Sequence, residues 1–167
     1  MKKFLLSTLL MFFFCQTHNA QNYEHCITVV INYENGVYMG KTIEGIAEYE
    51  PDWYKDQPRY EGRFIKGFDK QLTRSNVDKS CLLLSPDKYD ENIKSALLVK
   101  VNIRSVESNG NTRAVVEFIG AANDEIPKAI GMRGEGGVFG TWLNLFGDGM
   151  ESLGENIVKY ILKNKLL

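Results

Sequence analysis

Three patterns in this chain predict an α/β (α+β) fold: a mixed, largely antiparallel sheet of four to five strands with two main helices packed on one face. Leu97, Val99, Val101 and Ile103 alternate with Leu98, Lys100, Asn102 and Arg104, the period of two of a strand with one buried face. Tyr60, Phe64, Phe68 and Leu72 recur every four residues, and Met150, Leu153, Ile157 and Ile161 recur every three or four, so both segments are amphipathic helices. Asn109-Gly110 lies between two alternating runs and marks a hairpin, Leu97 to Gly120, at the centre of the sheet.

The elements follow in chain order. His25 to Tyr33 is rich in β-branched residues and reads as a strand, stopped by the turn pair Asn35-Gly36. Val37 to Tyr49, punctuated by Gly40 and Gly45, reads as an irregular extended segment. Glu50-Pro51 opens a helix, because proline in a first turn loses no bond. Pro58 then restarts or kinks it, and the stripe of Tyr60 to Leu72 carries it to about Arg74. Ser80 to Leu84 is a short strand, and Asp87 to Ser95 is a polar loop or a single helical turn.

Thr112 to Gly120 is the return strand of the hairpin, with Ala114, Val116 and Phe118 on its inner face. The outer face carries Lys100, Asn102 and Arg104, joined by Arg113 and Glu117 and interleaved with Val115 and Ile119. A turn at Asn123-Asp124 leads to a third strand from Ile126 to Arg133, where Pro127 indicates an edge position or a strand start. Asp148 with Glu151 forms a capping-box-like start for the last helix, and lysines crowd its other end.

Residues 1–20 carry an address. Lys2-Lys3 precede the apolar run Phe4 to Phe14, and a polar exit follows, the three parts of a secretory signal peptide. The run is too short to span a bilayer, which takes about 20 residues. Ala20 favours a mature chain that starts at Gln21, and Thr17 is a second cut. Cys15 raises the alternative of a lipid anchor, although Phe14 departs from the small residue that precedes a lipidated cysteine. Residues 21–167 then make a single α/β domain that is exported to the periplasm or beyond.

Twenty basic and twenty-one acidic residues leave no basic excess, which argues against nucleic acid as a partner. Cys26 and Cys81 remain after export, and a bond between them would close a loop of more than fifty residues. The alternative is two buried thiols that never meet.

No catalytic or cofactor constellation assembles. Five glycines between Gly131 and Gly140 invite a phosphate reading, but Gly134-x-Gly136-x-x-x-Gly140 is one residue too long for a dinucleotide fingerprint and no strand follows it. The segment reads as a flexible connection between the last strand and the last helix. His25, Cys26 and Cys81 make a poor tetrahedral metal cage, since neighbours on a strand point to opposite faces. The acidic groups Glu48, Glu50 and Asp52, and Asp87, Asp90 and Glu91, read as solvated surface. Trp53 and Tyr54, which precede the aromatic stripe, are candidate contacts for a ligand or partner. Phe139, Trp142, Leu145 and Phe146 form either a hydrophobic plug or, if exposed, an interaction patch.

Asn32-Tyr33 with Val37-Tyr38-Met39-Gly40-Lys41, the segment from Tyr49-Glu50-Pro51 to Phe68, and Gly134-Glu135-Gly136-Gly137 leading into Gly149 to Lys163 resemble a group of small exported α/β proteins of Gram-negative bacteria. The resemblance implies an envelope location and one sheet layered with helices, and it transfers no activity. The expectation is a non-enzymatic envelope protein, without a cofactor or metal, that acts through contacts with an envelope protein. The alternative is a binding module for a small ligand or glycan that uses exposed aromatics, a reading that requires Trp53 at the surface.

Overall fold

The computed structural model describes residues 22–89, 94–120 and 129–167, with the side chains of 22–24 and 94 left aside. The N-terminal address, Cys15, Asp90, Glu91, the turn at Asn123-Asp124 and Pro127 lie outside the described residues.

One open mixed sheet is built from β1 (Asn22–Asn32), β2 (Val37–Tyr38), β3 (Ser80–Leu84), β4 (Lys94–Val106), β5 (Thr112–Ile119) and β6 (Ala129–Gly134). The strand order is β3-β1-β4-β5-β6. β2 pairs with the end of β4, beyond the point where β1 leaves it. The β4–β5 hairpin is central, and β4, β5 and β6 are antiparallel neighbours. β1 runs parallel to both β3 and β4. The parallel half arises because α1 (Ile43–Tyr49) and α2 (Trp53–Arg74) carry the chain from β1 back to the start of β3, and parallel strands require such a crossover.

Helices α2 and α3 (Trp142–Lys163) cover one face of the sheet. Ile27, Val29 and Ile31 of β1, Leu97, Val99, Val101 and Ile103 of β4, and Ala114, Val116 and Phe118 of β5 point into this layer. They meet Tyr60, Phe64, Phe68 and Leu72 of α2, and Met150, Leu153, Ile157 and Ile161 of α3. Each of these large side chains contributes roughly 1.5–3 kcal/mol by leaving water. Among the described residues, no helix is long and apolar enough to cross a membrane.

The two helices run in the same direction. Arg59 bonds Asn144, Arg63 bonds Asp148, Lys66 bonds Glu151 and Lys70 bonds Glu155, each pair 85 residues apart in sequence. A constant offset along both helices means parallel axes in one register. Arg63 also reaches Glu151 through Nε at 2.8 Å. The backbones come close enough that a Cβ on Gly67 would overlap the Glu151 carbonyl, and one on Gly154 would sit 2.5 Å from the Phe64 carbonyl oxygen.

Three boundaries differ from the sequence reading. Residues 37–49 are not irregular: after a turn at Met39 and Gly40, both at positive φ, Thr42 caps α1 by accepting from the Gly45 amide at 3.4 Å. Ile46 anchors this short helix in the core. Helix α2 starts at Trp53 and passes through Pro58 as one element. The bond that proline removes would end on the carbonyl of Tyr54, an exposed residue, so the lost bond does not fall in the core. Helix α3 starts at Trp142, two turns before the Asp148–Glu151 pair, with Thr141 as its cap. Trp142 and Phe146 extend the apolar stripe backwards, and Asp148 and Glu151 serve the ionic ladder rather than a helix start.

Two outcomes are expected in urea titrations. Gly67→Ala and Gly154→Ala should each lose about 1–3 kcal/mol of stability, because backbone blocks the new methyl. Gly62→Ala, whose Cβ would meet open space, should instead gain up to about 1 kcal/mol from helix propensity. The ladder adds a pH dependence. Burial opposes the ionised form of Glu151, but hydrogen bonds from Arg63 and Lys66 and their charges prevail and hold its carboxyl below the ordinary 4.5. A carboxyl depressed on folding stabilises above its unfolded pKa, and that stability is lost as pH falls through the folded value. Glu151→Gln should therefore be less stable at neutral pH and show a shallower loss of stability below about pH 5 than the unsubstituted chain.

Candidate functional site

Because α2 and α3 are parallel, both begin at the same end of the molecule, and each begins with a tryptophan. Trp53 and Trp142 stack with ring centroids 5.8 Å apart and planes 25° from parallel. Phe146 stacks on both at 5.7 Å, and Tyr60 lies 4.7 Å from Phe146. Tyr33 and Tyr38 meet Trp53 edge-on. Three polar atoms of this cluster reach backbone acceptors, while the buried Tyr33 hydroxyl has no hydrogen-bond partner among the described residues. The Trp142 indole N–H donates to the Glu107 carbonyl at 3.0 Å, the Tyr60 hydroxyl to the Trp53 carbonyl at 3.2 Å, and the Tyr38 hydroxyl to the Tyr33 carbonyl at 2.6 Å. Burial pushes the Tyr33, Tyr38 and Tyr60 hydroxyls well above the ordinary tyrosine range, so they stay neutral donors at physiological pH.

The four aromatic candidates thus come together at one end but divide between interior and surface. Trp53 is 1% exposed and Trp142 9%, so neither ring presents a face to a ligand. The glycan reading loses Trp53, its principal residue. Tyr54, next in sequence, is 59% exposed, and Phe139 is 89% exposed. Val138, at 84%, joins Phe139 and was not singled out from the sequence. Its signal was present, since an apolar pair between Gly137 and Gly140 has little chain on either side to fold over it. The expected plug is split, with Phe146 and Trp142 in the core, Leu145 half-buried and Phe139 outside.

The glycine-rich segment is a joint rather than a phosphate cradle. Gly134 lies against the Gly149 carbonyl, and Gly136 against the Asn109 carbonyl, so closely that a Cβ at either would overlap backbone. The Gly136 amide donates to Asn111 Oδ1 at 3.0 Å. Gly110, at φ +80°, and Gly149 close the same joint from the hairpin and from α3. Residues 134–137 are therefore pinned to the hairpin turn, and only 138–140 project from it.

Cys26 and Cys81 lie on paired strands but carry free thiols. The parallel register sets Cys26 beside Ser80 and Ile27 beside Cys81. Registered partners share a face, so Cys81 points with Ile27 toward the helices while Cys26 points the other way. The Cys26 thiol lies 3.6 Å from the Ser80 hydroxyl. Burial, with the nearby Asp69 charge, pushes the Cys81 thiol far above its ordinary value and keeps it protonated. The disulfide anticipated as one alternative is absent for this reason: the spacing allowed proximity, but the pleat sends the two sulfurs to opposite sides.

His25 is exposed and shares a shallow hollow with Asp78, Lys79 and Ser80. Among the described residues, no three His, Cys, Asp or Glu side chains are grouped to hold a metal. Glu48 and Asp52 are exposed, Glu50 is half-buried, and Asp52 pairs with Lys55 at 3.4 Å.

Intact mass of the folded protein should show no loss of two hydrogens relative to the sequence. Thiol labelling should modify Cys26 before Cys81, with Cys81 reacting only on unfolding.

No family model, no curated protein and no solved structure matches this chain.

Proposed function

We propose that this chain is an exported, non-catalytic protein of the cell envelope that acts by binding a protein partner through its projecting aromatic end. The observation that carries this reading is the pair Val138-Phe139, almost fully exposed at the end of the molecule where Tyr54 is exposed too. Apolar side chains held out in water are costly to leave uncovered, and aromatic anchors dominate the energetics of protein interfaces. Their support is stiff. The preceding residues are pinned to the hairpin turn, and the following ones enter a helix whose first side chain stacks in the core. A preorganised anchor loses little conformational freedom on binding. The cationic and apolar residues at the N-terminus support the envelope location.

A photo-reactive amino acid at Phe139, introduced in the producing cells, should give a discrete crosslinked protein that the same probe at exposed Lys159 does not. With that partner purified, Phe139→Ala should weaken binding by about 30-fold or more while leaving the melting temperature unchanged. Identical crosslinks at both positions, or full affinity in Phe139→Ala, would exclude this surface.

A further inference from the structure

The outer face of the sheet, opposite the helices, carries an arrangement that neither the fold nor the aromatic end requires. Arg113 of β5 is the direct cross-strand partner of Arg133 of β6. On its other side, a β-bulge in β4 inserts one residue between the Ile103–Ala114 and Ser105–Arg113 pairs. The inserted residue is Arg104. A bulge sets two residues against one and re-aims the extra side chain, here onto the face that carries Arg113. Three arginines from three adjacent strands, whose backbones lie about 5 Å apart, thus rim one shallow hollow.

Like charges placed directly opposite one another on a sheet are destabilising, so this row costs the fold stability. Its compensation within the protein is partial. Glu107 reaches Arg113 at 3.3 Å, and is itself held by Asn111 at 3.1 Å. The Asn111 hydrogen bond, then the charges of Arg113 and Arg133, hold the Glu107 carboxyl below its usual range. One carboxylate thus pairs with Arg113 and feels Arg133, and Arg104 and Arg133 make no ion pair among the described residues. The floor of the hollow is open: a Cβ at Gly131 would meet nothing within 4 Å, and Val115, its registered partner, supplies an apolar wall.

We propose that Arg104, Arg113 and Arg133 form a binding site for a phosphoryl group on the outer face of the sheet. A carboxylate offers two oxygens and is satisfied by a single guanidinium fork. A phosphate monoester or diphosphate offers three or more charged oxygens in a tetrahedral array and takes several forks at once. The site lies on the opposite face of the sheet from the aromatic end, and Glu107 stands between them, its carbonyl accepting from Trp142 and its carboxylate from Arg113. The same phosphoryl chemistry is found on soluble compounds and on lipid headgroups.

Calorimetric titration of the full domain at low ionic strength tests the site, with inorganic pyrophosphate in one arm and phosphatidic acid vesicles in a phosphatidylcholine background in the other. Saturable binding of pyrophosphate, weakened at least tenfold in Arg113→Gln and in Arg133→Gln but not in Lys55→Gln, supports the site and a soluble ligand. Binding to the vesicles alone, with the same dependence on the two arginines, supports the site and a headgroup ligand. Without ligand, Arg133→Gln should melt at or above the temperature of the unsubstituted protein, because a like-charge neighbour has been removed. That readout separates loss of binding from loss of fold. No binding in either arm, or equal weakening by Lys55→Gln, overturns the proposal.

Discussion

The close approach of α2 and α3 is the constraint on which the rest of this protein depends. Gly67 and Gly154 remove the side chains that would hold the two backbones apart. Parallel helices set their dipoles side by side in the same sense, an arrangement that is mildly repulsive. The ladder from Arg59–Asn144 to Lys70–Glu155 offsets this and selects one register among those that the apolar stripes alone would accept. Each partly exposed pair contributes only about 0.2–1 kcal/mol, so the ladder specifies alignment more than it stabilises. The alignment brings Trp53 and Trp142 to the same level, and their stacking closes the aromatic end.

The molecule consequently has two dissimilar faces. The layered side is aromatic at its core, where Trp142, Tyr60 and Tyr38 each donate to a backbone carbonyl. The outer side of the sheet carries the buried Thr28, Val30 and Leu98 in one half, next to Lys100 and Asn102, and the arginine row in the other. Across it, Lys100 registers with Glu117, and Asn102 donates to that carboxylate at 3.1 Å. Charge is matched in that half of the face and left unmatched around Arg113.

The parts of this fold legible in the sequence are those in which one residue-to-residue period persists over several turns. The α2 stripe, the C-terminal part of α3 and the β4–β5 hairpin are of this kind, and so is the outward set Lys100, Asn102, Arg104 and Arg113. The short strand β3 was legible as an apolar run before Ser85-Pro86, but the short helix α1 and the long-range contacts were not. Helix α1 has seven residues and a glycine, too few to show a period. The start of α3 was obscured because Gly147 and Gly149 weaken local helix preference, and what they meet is far away in sequence: Gly149 lies against the Gly110 carbonyl and Gly147 beside the Arg63 side chain. Trp53 looked like a surface residue because it precedes a proline, yet it is the first residue of a helix whose parallel neighbour supplies the covering rings. Arg133 gained meaning only when the sheet order placed it beside Arg113. The two cysteines were matched by compartment logic, whereas the pleat decides whether sulfurs meet.

The placement of β1 also constrains the order in which the molecule can assemble. Its hydrogen-bonded neighbours, β3 and β4, begin at Ser80 and Lys94, and β2 likewise waits for the far end of β4. The first half of the chain can form helical turns as it emerges from the ribosome, but it holds two strands with nothing to pair against. The local nucleus is the β4–β5 hairpin, and β1 must be recruited to it across a gap of more than sixty residues, a slow, high-contact-order step. Once folded, the chain holds its earliest strand inside the sheet between β3 and β4, paired on both sides and hard to pull out.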